Sequence, residues 1–170
     1  MINEKEKPVL EFLSDAGISF ERYEHPPAAG MDECEQVAAT AGAYHCKNLF
    51  LTNKRGTEYY LVLLERNKRF RTSVVSRLLG STRLSFAGDE QLLALLGLTP
   101  GSVSAAGLLN DAERRVKVAI DRDILAENRM LIHPNVNTAS LAITPGDLVR
   151  FIRLMGYEPS VIDPGGDDPE

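Results

Sequence analysis

The 170-residue chain has only two cysteines, Cys34 and Cys46, and they lack C-x-x-C spacing. That excludes a disulfide framework and leaves reduced thiols as the expectation. No stretch approaches the roughly 18–20 consecutive apolar residues of a membrane-spanning helix. The opening Met1-Ile2-Asn3-Glu4-Lys5-Glu6-Lys7 also carries no apolar signal region, so a cytoplasmic protein without a membrane partner is expected. The three histidines, His25, His45 and His133, are far apart and form no H-x-x-x-H pair, so no metal ion and no cofactor are expected. A G-x-S-x-G elbow and a G-x-x-x-x-G-K-[ST] phosphate loop are both missing, which sets aside α/β-hydrolase and P-loop chemistry.

Positive charge is in short supply too. A formal net charge of -5 opposes unaided binding to a polyanion, which argues against a DNA-binding protein or a general RNA binder. One middle stretch runs the other way, with Arg66, Lys68, Arg69, Arg71, Arg77 and Arg83 close together. It reads equally as a local basic surface or as a solvated charged loop.

What the chain does contain, 44% hydrophobic and 25% charged residues, is the balance of one soluble globular domain. Asn3 with Glu6 forms a capping-box pattern ahead of the stripe Val9, Leu10, Leu13 and Ala16, and Asp32 with Glu35 repeats it ahead of Cys34, Val37, Ala38 and Ala41. Ile18 to Arg22 reads as a short strand. Lys47 to Asn53 and Tyr59 to Leu64 read as a hairpin around Lys54-Arg55-Gly56-Thr57. Further helices are expected over 73–79 and 89–96, and strands over 83–87, 116–120, 129–133 and 138–143. Thr144, Pro145 and Asp147 mark the start of a last helix that Gly156 closes. The irregular mixture predicts a single α+β domain over 1–157, a mixed, mostly antiparallel sheet surrounded by short helices, with a frayed acidic tail over 158–170.

Three polar clusters interrupt this apolar framework. Lys47-Asn48 stands at the head of the strand Leu49-Phe50-Leu51, where a cation and an amide suit an anion, although a lysine snorkelling from a strand end looks the same. Gly101-Ser102-Val103-Ser104 follows Thr99-Pro100; its backbone N–H groups can approach a ligand without Cβ interference, or the loop is an ordinary Pro-Gly turn. His133-Pro134-Asn135-Val136-Asn137-Thr138 sets imidazole, amide and hydroxyl groups between two strands.

In this order, Lys47-Asn48-Leu49-Phe50-Leu51, Leu84-Ser85-Phe86-Ala87, Gly101-Ser102-Val103-Ser104 with Gly107-Leu108-Leu109-Asn110-Asp111, and His133-Pro134 with Asn137-Thr138-Ala139-Ser140 resemble the prolyl-tRNA synthetase-associated (YbaK-like) editing-domain family. The resemblance spans nearly the whole chain, and its glycine loop looks most like the ProX type, the freestanding alanyl-tRNA(Pro) deacylases. It implies the editing-domain fold and hydrolysis of a mischarged aminoacyl-tRNA ester without a metal ion or cofactor. It implies aminoacyl-tRNA as partner, through the 3′-terminal adenosine, and prolyl-tRNA synthetase as a second one.

By the same resemblance Lys47 binds a phosphate or ribose oxygen, Asn48 assists, the backbone at Gly101 and Ser102 polarises the ester carbonyl, and His133 orients the substrate. A water helped by the ribose hydroxyl attacks. Asn137 and Thr138 join the binding site, and Tyr23, Met31 and Phe50 form the wall of the amino-acid pocket. Ala105 stands where many relatives carry proline, which leaves the loop less rigid. The alternatives are a deacylase for another small residue (Cys, Ser or Thr) and a noncatalytic tRNA-binding module of the same fold.

Overall fold

The computed structural model describes residues 1–28 and 30–165, with the Met31 side chain outside the description. The sequence Tyr59-Tyr60-Leu61-Val62-Leu63-Leu64 has no polar position, and such a strand is stable only when both of its faces are covered. It forms β3 (Tyr59–Leu64), buried at every residue, at the centre of a five-stranded sheet. The hairpin partner β2 (Lys47–Thr52) pairs antiparallel with it, from Lys47 opposite Leu64 to Thr52 opposite Tyr59. Beyond β2 lies the short β4 (Ser85–Phe86), and on the other side β5 (Val116–Asp121) and β8 (Ser160–Ile162) continue the sheet in parallel. Both the antiparallel hairpin and the parallel extension are present, so the sheet is mixed as expected.

The second sheet has three antiparallel strands in the order β1 (Glu21–Glu24), β7 (Ala139–Ile143), β6 (Met130–Ile132). Leu141, Ile143, Met130 and Ile132 from this sheet share one core with Phe50, Leu61, Leu63, Val118 and Ile120 from the first. Helices α1 (Lys7–Asp15), α4 (Asp89–Leu96) and α5 (Pro145–Leu154) add Val9, Leu13, Leu92, Leu96, Leu148 and Phe151 to it. Helix α3 (Thr72–Leu78) covers the far face of the larger sheet through Val75, packed with Tyr60, Val62 and Ile162. Helix α2 (Met31–Ala41) covers the far face of the smaller sheet, where Ala38 and Ala41 meet Leu131 and Ala142.

The ends of the helices show which local signals held. Thr144 caps α5 as its sequence predicts, its hydroxyl oxygen accepting from the Asp147 N–H at 3.1 Å. The Asn3–Glu6 box is only half made: the Asn3 N–H donates to Glu6 Oε1 at 3.5 Å, but the Asn3 side chain takes the Lys5 N–H. The Glu6 carboxylate, on a residue 1% exposed, accepts from Arg22 Nε at 2.8 Å and Nη2 at 3.0 Å, with α1 beginning after it. A buried carboxylate needs a cation more than a frayed helix end needs a cap. Helix α2 begins at Met31 after Gly30, which puts Asp32 and Glu33 inside its first turn.

The expected frayed tail is corrected over its first half. Ser160, Val161 and Ile162 pair with Ala119, Ile120 and Asp121, and Ile162 is buried. The ladder to the otherwise open edge strand β5 and the burial of Ile162 outweigh the acidic and proline-rich composition around them. The Pro164 carbonyl then accepts from Arg71 Nη2 at 2.8 Å. The ordered domain therefore runs past 157 through this strand, and residues 166–170 lie outside the described residues.

Candidate functional site

A cavity of about 280 Å³ opens where the head of β2, the end of β6, β7, α2 and the Gly101 loop meet. Four of the sequence-predicted residues line it together: Lys47, Asn48, Gly101 and His133. They come from three segments at least thirty residues apart, and the hairpin and the two sheets bring them to one place. The remaining wall is small or apolar, including Ala28, Gly30, Cys34, Val37, Val103 and Leu131, with Ser140 and His45 as further polar members.

The hairpin register fixes Lys47. Opposite Leu64, it stands beside the point where the chain leaves β3, and its Nζ donates to the Lys68 carbonyl at 2.6 Å. One ammonium proton is thereby committed, and Lys47 is only half-buried, so the rest of the charge is available at the cavity. The Lys68 carbonyl is held in turn from the other end of its own side chain. Lys68 Nζ lies 3.0 Å from Asp121 Oδ1 and 2.7 Å from Asp123 Oδ2. Burial works against the Lys68 charge, and the hydrogen bonds that its ammonium donates to Asp123 and Asp121 outweigh it and raise its pKa.

This geometry corrects the basic-surface reading of the middle stretch. Lys68 points inward as a buried structural cation, Arg66 stacks over the Tyr44 ring at 5.3 Å, and Arg71 is tied to Pro164. Arg69, Arg77 and Arg83 are exposed.

The two loops that carry Gly101 and His133 are stitched together. Gly101 has φ +88°, a conformation that an L side chain resists and glycine adopts freely. Ser104 Oγ donates to the His133 carbonyl at 2.5 Å and accepts from the Ala106 N–H at 3.2 Å, capping the 3₁₀ turn Ala105–Asn110. Asn135, itself at φ 65°, donates from Nδ2 to the Ala106 carbonyl at 3.3 Å. Ala105 is buried at the start of that turn, so the missing proline is compensated by the Ser104 bonds and the loop is not left loose.

His133 is the strained member of the site in electrostatic terms. Its Nδ1 is shut off from solvent without a hydrogen-bond partner among the described residues, as is Nε2 of His45. Burial pushes the His133 pKa down to about 4, and nearby His25 and His45 push in the same direction. His45 is lowered by burial and by Arg66. Both rings are therefore neutral at pH 7, and both residues line the cavity.

An unfolded imidazole takes up its proton near pH 6.5. Stability present above that pH is therefore lost as the pH falls toward the folded value of about 4. The expected loss is roughly 2–3 kcal/mol at the acidic end. Urea midpoints measured from pH 7 to pH 4 check this, with His133→Gln expected to lose less stability over the same interval.

Other predicted members are displaced. The Ser102 N–H and Oγ both donate to the Thr99 carbonyl, at 3.2 and 3.0 Å, so its amide is used within its own turn. Ser102, Asn137 and Thr138 line a separate cavity of about 210 Å³, beside Asn3 and Lys5. The carbonyls of Asn137 and Thr138 accept from the N–H groups of Ala28 and His25, which makes them part of the frame. Tyr23 lines a surface groove and donates to Glu21 at 2.7 Å. Phe50 is not a pocket wall: strand alternation turns it into the main core, where it stacks on Tyr59 with ring centroids 5.8 Å apart. The proposed role of the Met31 side chain lies outside the described residues.

The structure adds His45, Cys46, Cys34, Val37 and Ser140 to the cavity. His45 and Cys46 directly precede Lys47, and that adjacency was the available signal. Burial pushes the Cys46 thiol up to about 12 and raises that of Cys34 as well, so both act at neutral pH as small, protonated wall groups. Among the described residues no group of three or more His, Cys, Asp or Glu side chains is placed to hold a metal ion.

Comparison with known proteins matches residues 25–151 to a family described as the aminoacyl-tRNA editing domain. The chain is 32% identical over 148 residues to the prolyl-tRNA editing protein ProX of Acetoanaerobium sticklandii, covering 87% of this chain and 90% of that one. It is 30% identical over 158 residues to the prolyl-tRNA synthetase associated domain-containing protein 1 of Danio rerio, covering 92% and 85%. A solved structure of a candidate trans-editing enzyme for prolyl tRNA synthetase shares the fold, with TM-score 0.75 at 21% identity over 96% of this chain and 98% of that one.

Proposed function

The chain belongs to the aminoacyl-tRNA editing domain family, and we propose that it removes alanine from mischarged tRNA(Pro), acting in trans as a freestanding deacylase. The observation that carries the reading is the meeting of Lys47, Asn48, Gly101 and His133 on one cavity of about 280 Å³ with small walls. Lys47 and Asn48 hold the phosphate or ribose oxygens of the terminal adenosine. The backbone at Gly101 approaches the ester carbonyl, and neutral His133, in the wall of the same cavity, orients the substrate.

Hydrolysis on this reading is metal-free and rests on positioning a water against the ester, with help from the neighbouring ribose hydroxyl. Selectivity on this reading is steric: a pocket that accepts a methyl side chain excludes a pyrrolidine ring by size, with Leu49, Leu131 and Ile132 as the bulky members of the wall. Steric selection rejects small side chains poorly, so cysteine, serine and threonine esters are the competing substrates, and Ser140 in the wall gives a hydroxyl side chain something to bond. Prolyl-tRNA synthetase, as the source of the mischarged ester, is the partner this reading implies, in the cytoplasm where translation takes place.

The test is a panel of charged tRNAs. Release of alanine from alanyl-tRNA(Pro) at least 10-fold faster than release of proline from prolyl-tRNA(Pro) is expected, in line with what one steric difference supplies. Equal rates sink the alanine assignment. Faster release from the cysteinyl, seryl or threonyl ester moves the substrate to that residue, and binding without turnover leaves a tRNA-binding module.

A further inference from the structure

His25 belongs to no part of the mechanism above, yet its ring is held at both ends. Nδ1 lies 2.8 Å from the carbonyl oxygen of Pro26, and Nε2 lies 2.8 Å from Oγ of Ser140. A carbonyl only accepts, so Nδ1 carries the proton, and in the neutral ring Nε2 is left as an acceptor. The Ser140 hydroxyl therefore donates to His25. Its own lone pairs remain for whatever stands in the cavity that Ser140 lines.

A hydroxyl, an imidazole acceptor and a third group that fixes the tautomer form the arrangement that moves a proton off an attacking oxygen. Strand pairing makes it rigid. Ser140 stands opposite Tyr23 in the β1–β7 ladder, and the His25 N–H donates to the Thr138 carbonyl at 3.0 Å. On its other side His25 lines a surface groove of about 270 Å³ together with Glu24 and Glu33. The pair thus connects the interior of the cavity to a second, separate opening.

We infer that Ser140 and His25 form a proton relay for the hydrolytic water, an inference that rests on the deacylase reading above. The water oxygen bonds to the ester carbonyl carbon while one of its protons passes to Ser140 Oγ and the Ser140 proton passes to His25 Nε2. When the acyl–oxygen bond to the ribose breaks, the same proton returns along the pair to the departing ribose oxygen. Free amino acid and a free terminal hydroxyl result, with Ser140 and His25 restored. Ser140 is the catalytic residue, touching the water, and His25 is the positioning residue behind it.

Single-turnover and steady-state deacylation by the purified full chain, on whichever charged tRNA the wild type hydrolyses fastest, tests the relay. Ser140→Ala is expected to lower kcat by about 100-fold with KM unchanged within twofold. His25→Ala should lower it comparably, and the double variant should fall no further, since the two act as one unit. Ser140→Thr keeps the hydroxyl, has the cavity to take its methyl group, and is expected to recover most of the rate.

Thermal melting of each variant separates loss of the relay from loss of the fold. Ser140→Ala within threefold of wild type, a change in KM alone, additive losses, or a trapped aminoacyl ester on Ser140 each overturn the relay while leaving the deacylase reading intact. A wild-type chain that releases nothing from any charged tRNA overturns both.

Discussion

Lys47→Ala is expected to lower kcat/KM for deacylation by about 100- to 1,000-fold, the usual cost of removing a charged donor aimed at substrate oxygens. The fold should survive it. Lys47 is half-buried at the first position of β2, and the bond it gives up is a single donation to the Lys68 carbonyl, which the open cavity can rehydrate. The hairpin itself is held by Leu49, Phe50 and Leu51 opposite Val62, Leu61 and Tyr60. Lys47→Arg keeps the charge but replaces a compact ammonium with a planar, longer fork, and a partial loss of activity is expected. The measurement is release of amino acid from charged tRNA beside the urea midpoint of each variant. Activity of Lys47→Ala within threefold of wild type would show that the lysine is a surface cation after all, as its position at a strand end equally allows.

That ambiguity shows where sequence reasoning reaches and where it stops. Local signals were legible: the Gly56 turn between two apolar runs, the Thr144-Pro145 helix start and the Gly97 helix stop all appear where their chemistry places them. Lys47, Asn48 and His133 were legible as polar groups at the ends of apolar strands, and Gly101 as a loop backbone open to a ligand. What could not be read were choices among partners at long range. Glu6 looked like a cap because nothing local says that Arg22 will reach it. Phe50 looked like a wall because alternation along β2 says which residues share a face, without saying which face meets the core. Ser140 was visible only as one member of a motif, and its bond to His25 spans 115 residues. The tail looked frayed because a short strand at a sheet edge needs little more than a backbone ladder and one buried side chain, which β5 and Ile162 supply amid acidic neighbours.

The second large effect is expected at a residue that touches no substrate. Asp121 ends β5 and is fully buried at 0% exposure. Its carboxylate accepts from the Glu65 N–H at 3.0 Å, the Asp123 N–H at 3.1 Å and Lys68 Nζ at 3.0 Å. Asp121→Ala removes all three acceptor contacts and leaves the buried Lys68 ammonium with Asp123 alone, a half-exposed partner. Breaking a buried pair in this way costs about 3–5 kcal/mol, and a single domain has little more than that to lose. Asp121→Asn keeps one acceptor and the shape, and its loss should be nearer 1–2 kcal/mol, the cost of weakened hydrogen bonds. Stability is only half of the consequence. The Lys68 carbonyl that receives Lys47 Nζ is placed by the same turn that Asp121 ties down through Glu65 and Lys68. Asp121→Asn should therefore lower kcat while the folded fraction stays near one. Combined with Lys47→Ala it should add almost nothing to the loss of activity, because the lysine it positions is already gone. Urea unfolding read beside deacylation rates checks both halves, and fully additive losses of activity would mean that Asp121 supports the fold without orienting the lysine.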